Sequence, residues 1–468
     1  MTSTNGKQSV PAAEKSFRRR GLLRLGTLIT AFTGASAVTS AGGAQAAPGD
    51  KNPATAYVPL AEKGAPAGVA TLDTSSKIPS SQIPDLSSSF VQVREAPLTP
   101  YQFGAVAPVA SSDNTAALSQ MWAAACDAAN PEIRLPAGYW NTTGPTAGCL
   151  PLVTNMKVSG AGRLKTRLTI SASSSRPMFT WNTETSGVDL SSMFLNVGAG
   201  GSDIFAPGPT GGLHASTFRN MFINQQHPGR RIWWQDNAAS FIHNTFEDVE
   251  MQRVTAATVP AFQVHNSGGA ANFNLFKQVR INGYNCTSSP FFSFESTLPQ
   301  TFLTDWTFIN LLGEQNPGGM IHAAGAFNWT LVNATDEDAT VPYSSDLFRF
   351  SANSAGLAPR NLTFVGCGRR GSSMAPAAYE FNIAPSGANV TLINCNPTPT
   401  SATTKALLPR SSTIIGSRNY PQTLQGAGSP EGSVSAVIGS TWMRTDGGPG
   451  TSFYVKESGT SATGWAAK

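Results

Sequence analysis

Ser216–Asn224 reads S-T-F-R-N-M-F-I-N, and the phrase returns as N-T-F-E-D-V-E-M-Q at Asn244–Gln252 and as N-L-F-K-Q-V-R-I-N at Asn274–Asn282. A looser copy, F-L-T-D-W-T-F-I-N, spans Phe302–Asn310, and shorter echoes follow at Asn328–Asn333, Asn361–Cys367 and Asn389–Cys395. Aligning the second apolar position brings Met221, Val249, Val279 and Trp306 into one column, at spacings of 28, 30 and 27 residues. Each phrase alternates as a short strand does, and a period in this range belongs to stacked coils. Phe246, Val249 and Met251 are expected to point inward, with Phe276, Val279 and Ile281 stacked on them. Glu247, Glu250 and Gln252 then face outward beside Lys277, Arg280 and Asn282. Asn220, Asp248, Gln278 and Asp305 fall at a break in the alternation, read as a bend where a polar side chain satisfies turn backbone groups. The expected class is all-β, a single-stranded parallel β-helix.

Composition agrees. Only 13% of the 468 residues are charged, and the chain carries 45 Gly and 32 Pro, a profile suited to many short strands and turns. The net charge of +5 is misleading as a guide to partners. Residues 1–46 hold Lys7, Lys15, Arg18, Arg19, Arg20 and Arg24 against Glu14 alone, so the remainder has 26 basic and 26 acidic residues out of 32 and 27. That neutrality leaves no electrostatic case for a nucleic-acid partner.

Residues 1–46 read as an export signal: a basic run, an apolar stretch to about Val38, and Ala44-Gln45-Ala46 as a small-residue cleavage pattern. Arg19-Arg20-Gly21-Leu22-Leu23-Arg24 resembles a twin-arginine signal, departing from it at Arg18, which leaves the general secretory route open. The apolar core is shorter than the ~20 residues of a membrane span. The mature chain is therefore expected to be extracellular and without a membrane span. Five cysteines fit an oxidising destination. A Cys126–Cys149 bridge would contribute roughly 3 kcal/mol. Cys367 and Cys395 hold matching places in two phrases and could face each other across coils. The alternative for all of them is a small buried apolar side chain.

Before the repeats, residues 47–96 form a polar, Pro/Ser-rich linker. Its run from Lys63 to Asp73, followed by Lys77-Ile78-Pro79 and Gln82-Ile83-Pro84, resembles a segment of phage tail-fibre and tailspike proteins. A helix is expected from Asp113, with Leu118, Met121, Trp122, Ala125, Cys126 and Ala129 forming one buried stripe, then a strand at Glu132–Leu135. The series F-G-A-V, D-N-T-A-A-L, I-R-L-P-A-G-Y, V-S-G-A-G and T-R-L-T-I, between Phe103 and Ile170, resembles the entry to the pectate-lyase-like superfamily. That superfamily includes pectate lyases, polygalacturonases, rhamnogalacturonases and phage tailspikes. The resemblance implies a right-handed parallel β-helix over residues 97–425, with the N-terminal helix capping its open end. Residues 426–468 read as a small β-hairpin module, similar to a C-terminal module of phage tail proteins. The tailspike resemblance also implies a homotrimer.

The superfamily's chemistry lies on the outer face of adjacent coils, where residues one coil apart are only ~4.8 Å apart. Glu250 as acid or base, Arg280 to neutralise a uronate, Asp305 as second carboxylate and Glu247 beside them form the catalytic shortlist. Exposed ion pairs between coils, worth ~0–1 kcal/mol each, would look the same in sequence. Arg230, Arg231, Trp233 and Trp234 read as a protruding loop that could offer a sugar platform, or else as a cover over the coil stack. Asp336-Glu337-Asp338 reads as a solvated acidic turn rather than a calcium loop. Calcium would be needed only by a lyase. The polygalacturonase set N-T-D, D-D, G-H-G and R-I-K is absent from the coils, and Thr445-Asp446-Gly447 lies in an apparent hairpin loop beyond them. The expected function is binding, and cleavage by a lyase or hydrolase, of a polysaccharide; the alternative is a non-catalytic, tailspike-like glycan-binding surface protein.

Overall fold

The computed structural model describes residues 97–129, 131–143, 149–170, 176–237, 240–254, 256–299, 303–339, 341–371, 379–395, 406–409, 411–416 and 421–468. The export signal and the linker lie outside them. Between residues 98 and 415 every described strand pairing is parallel, and each strand pairs with its equivalent one coil further on. This is a parallel β-helix. One helix, Thr115–Cys126, packs on the first coils and buries Leu118, Met121, Trp122 and Ala125. Asp113 Oδ1 accepts the Thr115 backbone N–H at 3.0 Å, tying down the start of that helix. The strand at Glu132–Leu135 follows as expected.

The wall has three faces. Strands such as Thr217–Gln225, Thr245–Arg253 and Leu275–Asn282 turn a corner in mid-strand. Their first halves form one face and their second halves another. A third face stacks Trp233–Asn237, Phe262–Asn266, Phe292–Ser296, Ile321–Ala324 and Phe348–Ser351. The mid-strand corner is one residue per coil in the left-handed region. Asn220, Asp248, Gln278, Asn310, Asn333 and Asn394 all have φ between 51° and 55°. Asparagine, aspartate and glycine tolerate this conformation best, which is why the corner reads as a polar letter in the repeat. A second left-handed column runs before the first face through His243, Phe273, Asp305, Asn328, Asn361 and Asn389.

The register is Met221↔Val249, Glu247↔Lys277, Glu250↔Arg280 and Gln252↔Asn282, as the repeat implies. The fourth copy differs. Val279 pairs with Leu311, 32 residues on, and Gln278 therefore stands under Asn310. Trp306 is not in the Met221 column, and Asp305 is not in the Asp248 column; it belongs to the second corner. Both corners set a polar left-handed residue just before an inward apolar one. The local pattern around Asp305-Trp306 therefore imitates the pattern around Asn310-Leu311.

Inside, aromatic rings form a continuous column. Phe218 stacks on Phe246 at 4.9 Å, Phe246 on Phe276 at 4.5 Å, and Phe276 on Phe308 at 4.9 Å. Each such ring, fully buried, contributes about 1.5–3 kcal/mol by removal from water, and each pair about 0.5–1.5 kcal/mol more. Beside it Ser216, Asn244 and Asn274 make a buried polar ladder, with Asn244 Nδ2 donating to Asn274 Oδ1 at 3.1 Å. Trp306 and Trp329, stacked at 5.4 Å, continue that position in apolar form.

Beyond the coils, Thr423–Gly426, Thr441–Arg444, Phe453–Lys456 and Trp465–Ala467 form a four-stranded sheet. Its last three strands are antiparallel, and its own small core gathers Trp442, Tyr454 and Trp465. Thr445-Asp446-Gly447 sits in the turn after Thr441–Arg444, outside the coils. No helix among the described residues is long and apolar enough to cross a membrane.

Candidate functional site

The second face carries the residues the repeat singles out. Strand alternation there puts Met251 and Ile281 inside, and Glu250, Gln252, Arg280 and Asn282 outside. Arg280 donates through Nη2 to Glu314 Oε1, and Asn282 Nδ2 donates to Glu314 Oε2 at 3.3 Å. The hydrogen bond and charge of Glu314 hold the Arg280 pKa above its ordinary value. Glu250 Oε2 accepts from Arg163 Nη2 at 2.6 Å, and its Oε1 accepts from Gln252 Nε2 at 2.9 Å. Gln252 Oε1 in turn accepts the Tyr284 hydroxyl at 2.8 Å. A single polar network thus joins Arg163, Glu250, Gln252 and Tyr284 across the coils.

Next to it lies a groove of about 590 Å³, lined by Asn224, Gln226, Gln252 and Tyr284 among others. Tyr284 is 40% exposed. Asn224 Nδ2 donates to Asn196 Oδ1 at 3.0 Å, which fixes the orientation of its amide. Beneath the groove Arg253 is fully buried, its guanidinium donating to Ser289 O at 2.7 Å and Pro290 O at 2.9 Å. Burial pushes its pKa down to about 10. A rigid floor, three amides and one aromatic ring are groups that hydrogen-bond and stack on sugars.

The catalytic shortlist does not converge. Glu250 and Arg280 are register neighbours, yet each is bonded to another partner. Glu247 is on the first face and pairs with Lys277 Nζ at 2.7 Å, whose hydrogen bond and charge lower its pKa. Asp305 stands at the other corner, two coils above Glu250. At ~3.3 Å per residue and ~4.8 Å per coil the two backbones are on the order of 15–20 Å apart. Asp305 Oδ1 accepts from Asn328 Nδ2 at 3.2 Å and Oδ2 from Thr304 Oγ1 at 2.6 Å.

The expected aromatic loop is corrected as well. Trp233 and Trp234 lie on the strand Trp233–Asn237, and Trp233 is wholly buried, stacked between Phe205 at 4.9 Å and Phe262 at 5.4 Å. Trp233 cannot face a sugar. Trp234 points the other way and is half-buried under the Arg231 guanidinium, 3.8 Å from its ring centre, while Arg231 Nε donates to Gln263 Oε1. Arg230 is half-buried beside them. Asp336-Glu337-Asp338 is not a solvated turn but part of the strand Thr335–Ala339. Asp336 is wholly buried and accepts from the Tyr343 hydroxyl and Asn316 Nδ2, both at 2.6 Å. Among the described residues no group of three or more His, Cys, Asp or Glu side chains is gathered to hold a metal ion.

All five cysteines are free thiols. Cys367 and Cys395 follow register partners Val365 and Ile393 in successive coils; both are buried, and their thiols donate to backbone carbonyls, Cys367 Sγ to Leu331 O at 3.3 Å and Cys395 Sγ to Phe364 O at 3.4 Å. The Cys126 thiol lies against the Pro151 carbonyl, unbridged to Cys149. Arg163, Tyr284 and Glu314 are the site residues the repeat does not single out. Arg163 and Tyr284 sit in turns, and Glu314 occupies an outward place that holds amides in the preceding coils.

No protein-family model matches the chain, and no curated protein is similar to it in sequence. Solved structures do resemble it. The surface adhesin PfbA of Streptococcus pneumoniae superposes with a TM-score of 0.52 at 10% identity, over 79% of this chain and 98% of the adhesin. The gp42 tailspike of an Acinetobacter phage gives 0.47 at 11% identity, over 72% of this chain and 60% of the tailspike. The A-module of the Azotobacter vinelandii mannuronan C-5 epimerase AlgE4 gives 0.33 at 17% identity, over 68% and 100% respectively. At these identities the likeness is one of fold, and the adhesin carries it.

Proposed function

We propose that this parallel β-helix protein is exported and binds a polysaccharide on its second face, without cleaving it. The observation that carries the reading is the groove beside Tyr284, where Asn224, Gln226 and Gln252 present amides around an exposed ring on a rigid floor. Amides hydrogen-bond hydroxyls without charge, and the ring offers a face to pyranose C–H groups. Cleavage is disfavoured by the carboxylates. Glycoside hydrolysis needs two of them ~5–9.5 Å apart across the bond, whereas both Glu250 oxygens and Glu314 are engaged by Arg163, Gln252, Arg280 and Asn282.

The test is a binding screen of the purified chain against acidic and neutral polysaccharides, with reducing ends and unsaturated-uronate absorbance followed in parallel. Retention on at least one glycan, with neither product, is expected. Tyr284→Ala is expected to weaken that binding about 3- to 10-fold, the worth of one aromatic contact. New reducing ends or uronate absorbance would restore the hydrolase or lyase reading, and no retention on any glycan would end the binding one.

A further inference from the structure

The first face changes character along the axis. In the earlier coils its outward residues include Arg219, Glu247 and Lys277; from the coil of Thr307 onward the two outward columns that replace them are uncharged, and the exposed Arg360 stands at the start of its strand, before the corner. Thr307, Thr330, Thr363, Thr391 and Thr413 are register partners in one outward column, and Ile309, Val332, Val365, Ile393 and Ile415 form the next. β-Branched side chains hold few rotamers, so both columns are stiff. Alongside runs the second corner, where Asn328 Nδ2 donates to Asp305 Oδ1 at 3.2 Å, Asn361 Nδ2 to Asn328 Oδ1 at 2.8 Å and Asn389 Nδ2 to Asn361 Oδ1 at 2.9 Å. Each amide spends one N–H on the ladder and keeps the other.

Corner and threonine column enclose a groove of about 620 Å³ that runs along the helix axis past Asp305, Asn328 and Asn361 on one side and Thr307, Thr330 and Thr363 on the other. Phe273, one coil before Asp305 in the same corner column, lines it as well. The residue is 50% exposed, its ring stacks on His243 at 4.8 Å and 5°, and its backbone sits at φ 55°. The residues that follow it in this column are Asp305, Asn328, Asn361 and Asn389, types that suit the left-handed region; a bulky aromatic there is an outlier. Strain of this kind collects at binding positions.

We propose that this groove is a second carbohydrate site, taking a neutral, extended polysaccharide strand parallel to the helix axis. Coils rise by ~4.8 Å, about the length of one pyranose ring, so each sugar meets one amide and one threonine hydroxyl. Phe273 stacks on the terminal ring. The one ionisable group among the lining residues is Asp305, whose carboxylate opposes a uronate, which selects an uncharged glycan. The site rests on the protein being polysaccharide-binding, but it lies on a different face from Tyr284.

Titration calorimetry of the full chain with cellohexaose, maltohexaose and laminarihexaose tests it, using Phe273→Asn, Thr330→Val and Tyr284→Ala. Phe273→Asn restores a residue type already standing in this corner, so the fold is kept. At least one hexasaccharide is expected to bind. Phe273→Asn should weaken it about 3- to 10-fold and Thr330→Val about threefold, while Tyr284→Ala leaves it unchanged. The proposal falls if none of the three sugars binds, or if Phe273→Asn and Thr330→Val bind as the unaltered chain does. Binding lost only in Tyr284→Ala would remove this site and leave the first groove standing.

Discussion

Arg163 reaches from a turn to a strand three coils further along, placing its Nη2 2.6 Å from Glu250 Oε2 and its Nη1 3.3 Å from Asp248 Oδ1. The Arg163 and Glu250 side chains are 25% and 18% exposed, so water screens the pair only in part. An acid so engaged serves the scaffold. A double-mutant cycle of Arg163→Ala and Glu250→Gln should therefore return a coupling of about 1 kcal/mol in unfolding free energy. Glycan retention should survive Glu250→Gln within about twofold, since the loss of an exposed pair is itself small. A loss of retention with no change in stability would contradict the structural role.

The two adjacent tryptophans should behave oppositely. Trp233 is wholly buried among Phe205, Phe218, Phe246 and Phe262, so Trp233→Ala leaves a large cavity. A loss of about 3–5 kcal/mol is expected in urea denaturation. Trp234 gives up chiefly its contact with Arg231, so Trp234→Ala should cost about 1 kcal/mol. Equal losses would mean that the alternation along this strand has been assigned the wrong way round.

Asn361 has φ 53° and both donates to and accepts from its ladder neighbours. Asn361→Gly removes the amide but welcomes the backbone conformation, whereas Asn361→Ala loses the amide and adds about 1–2 kcal/mol of left-handed strain. Thermal unfolding should therefore rank the parent above Gly and Gly above Ala. Alanine matching glycine would show that the ladder, and not the backbone, sets the choice of residue.

Buried acids set a pH dependence. Burial raises Asp336 from its ordinary 3.8 to about 6 and Glu380 from 4.5 to about 7. The folded chain holds both protons at pH values where the unfolded chain has released them. Their contribution to stability is complete below about pH 4 and is lost as pH rises through 6 and 7, on the order of 2–3 kcal/mol apiece. The urea midpoint should fall from pH 5 to pH 8, and Glu380→Gln should flatten the upper part of that fall. A midpoint that is constant or rises over this interval would count against buried, protonated acids.

Much of the scaffold is legible in the phrase at Ser216–Asn224 and its copies. The inward triads of Phe246 and Phe276 and the register match of Glu250 with Arg280 follow from spacing alone, because parallel stacking repeats each residue's environment one coil later. Legibility ends where coil length changes. The step from Val279 to Leu311 spans 32 residues, and an apolar residue follows a polar left-handed corner at both Asp305 and Asn310, so alternation cannot choose between them. Trp233 and Trp234 are ambiguous for a related reason: two neighbouring aromatics on a strand must face opposite ways, and composition does not say which goes inside.

The sequence by itself determined the coiled architecture and the identity of its core column, since periodic apolar letters must be buried wherever strands stack. Only the tertiary structure decided which outward residues meet. Arg163 and Glu250 are 87 residues apart, and Tyr284 finds Gln252 across 32. Such contacts depend on turn geometry and side-chain reach, which carry no period. The same is true of the groove at Phe273: its threonines are visible as letters, but the column they form appears only once coils of unequal length are set in register.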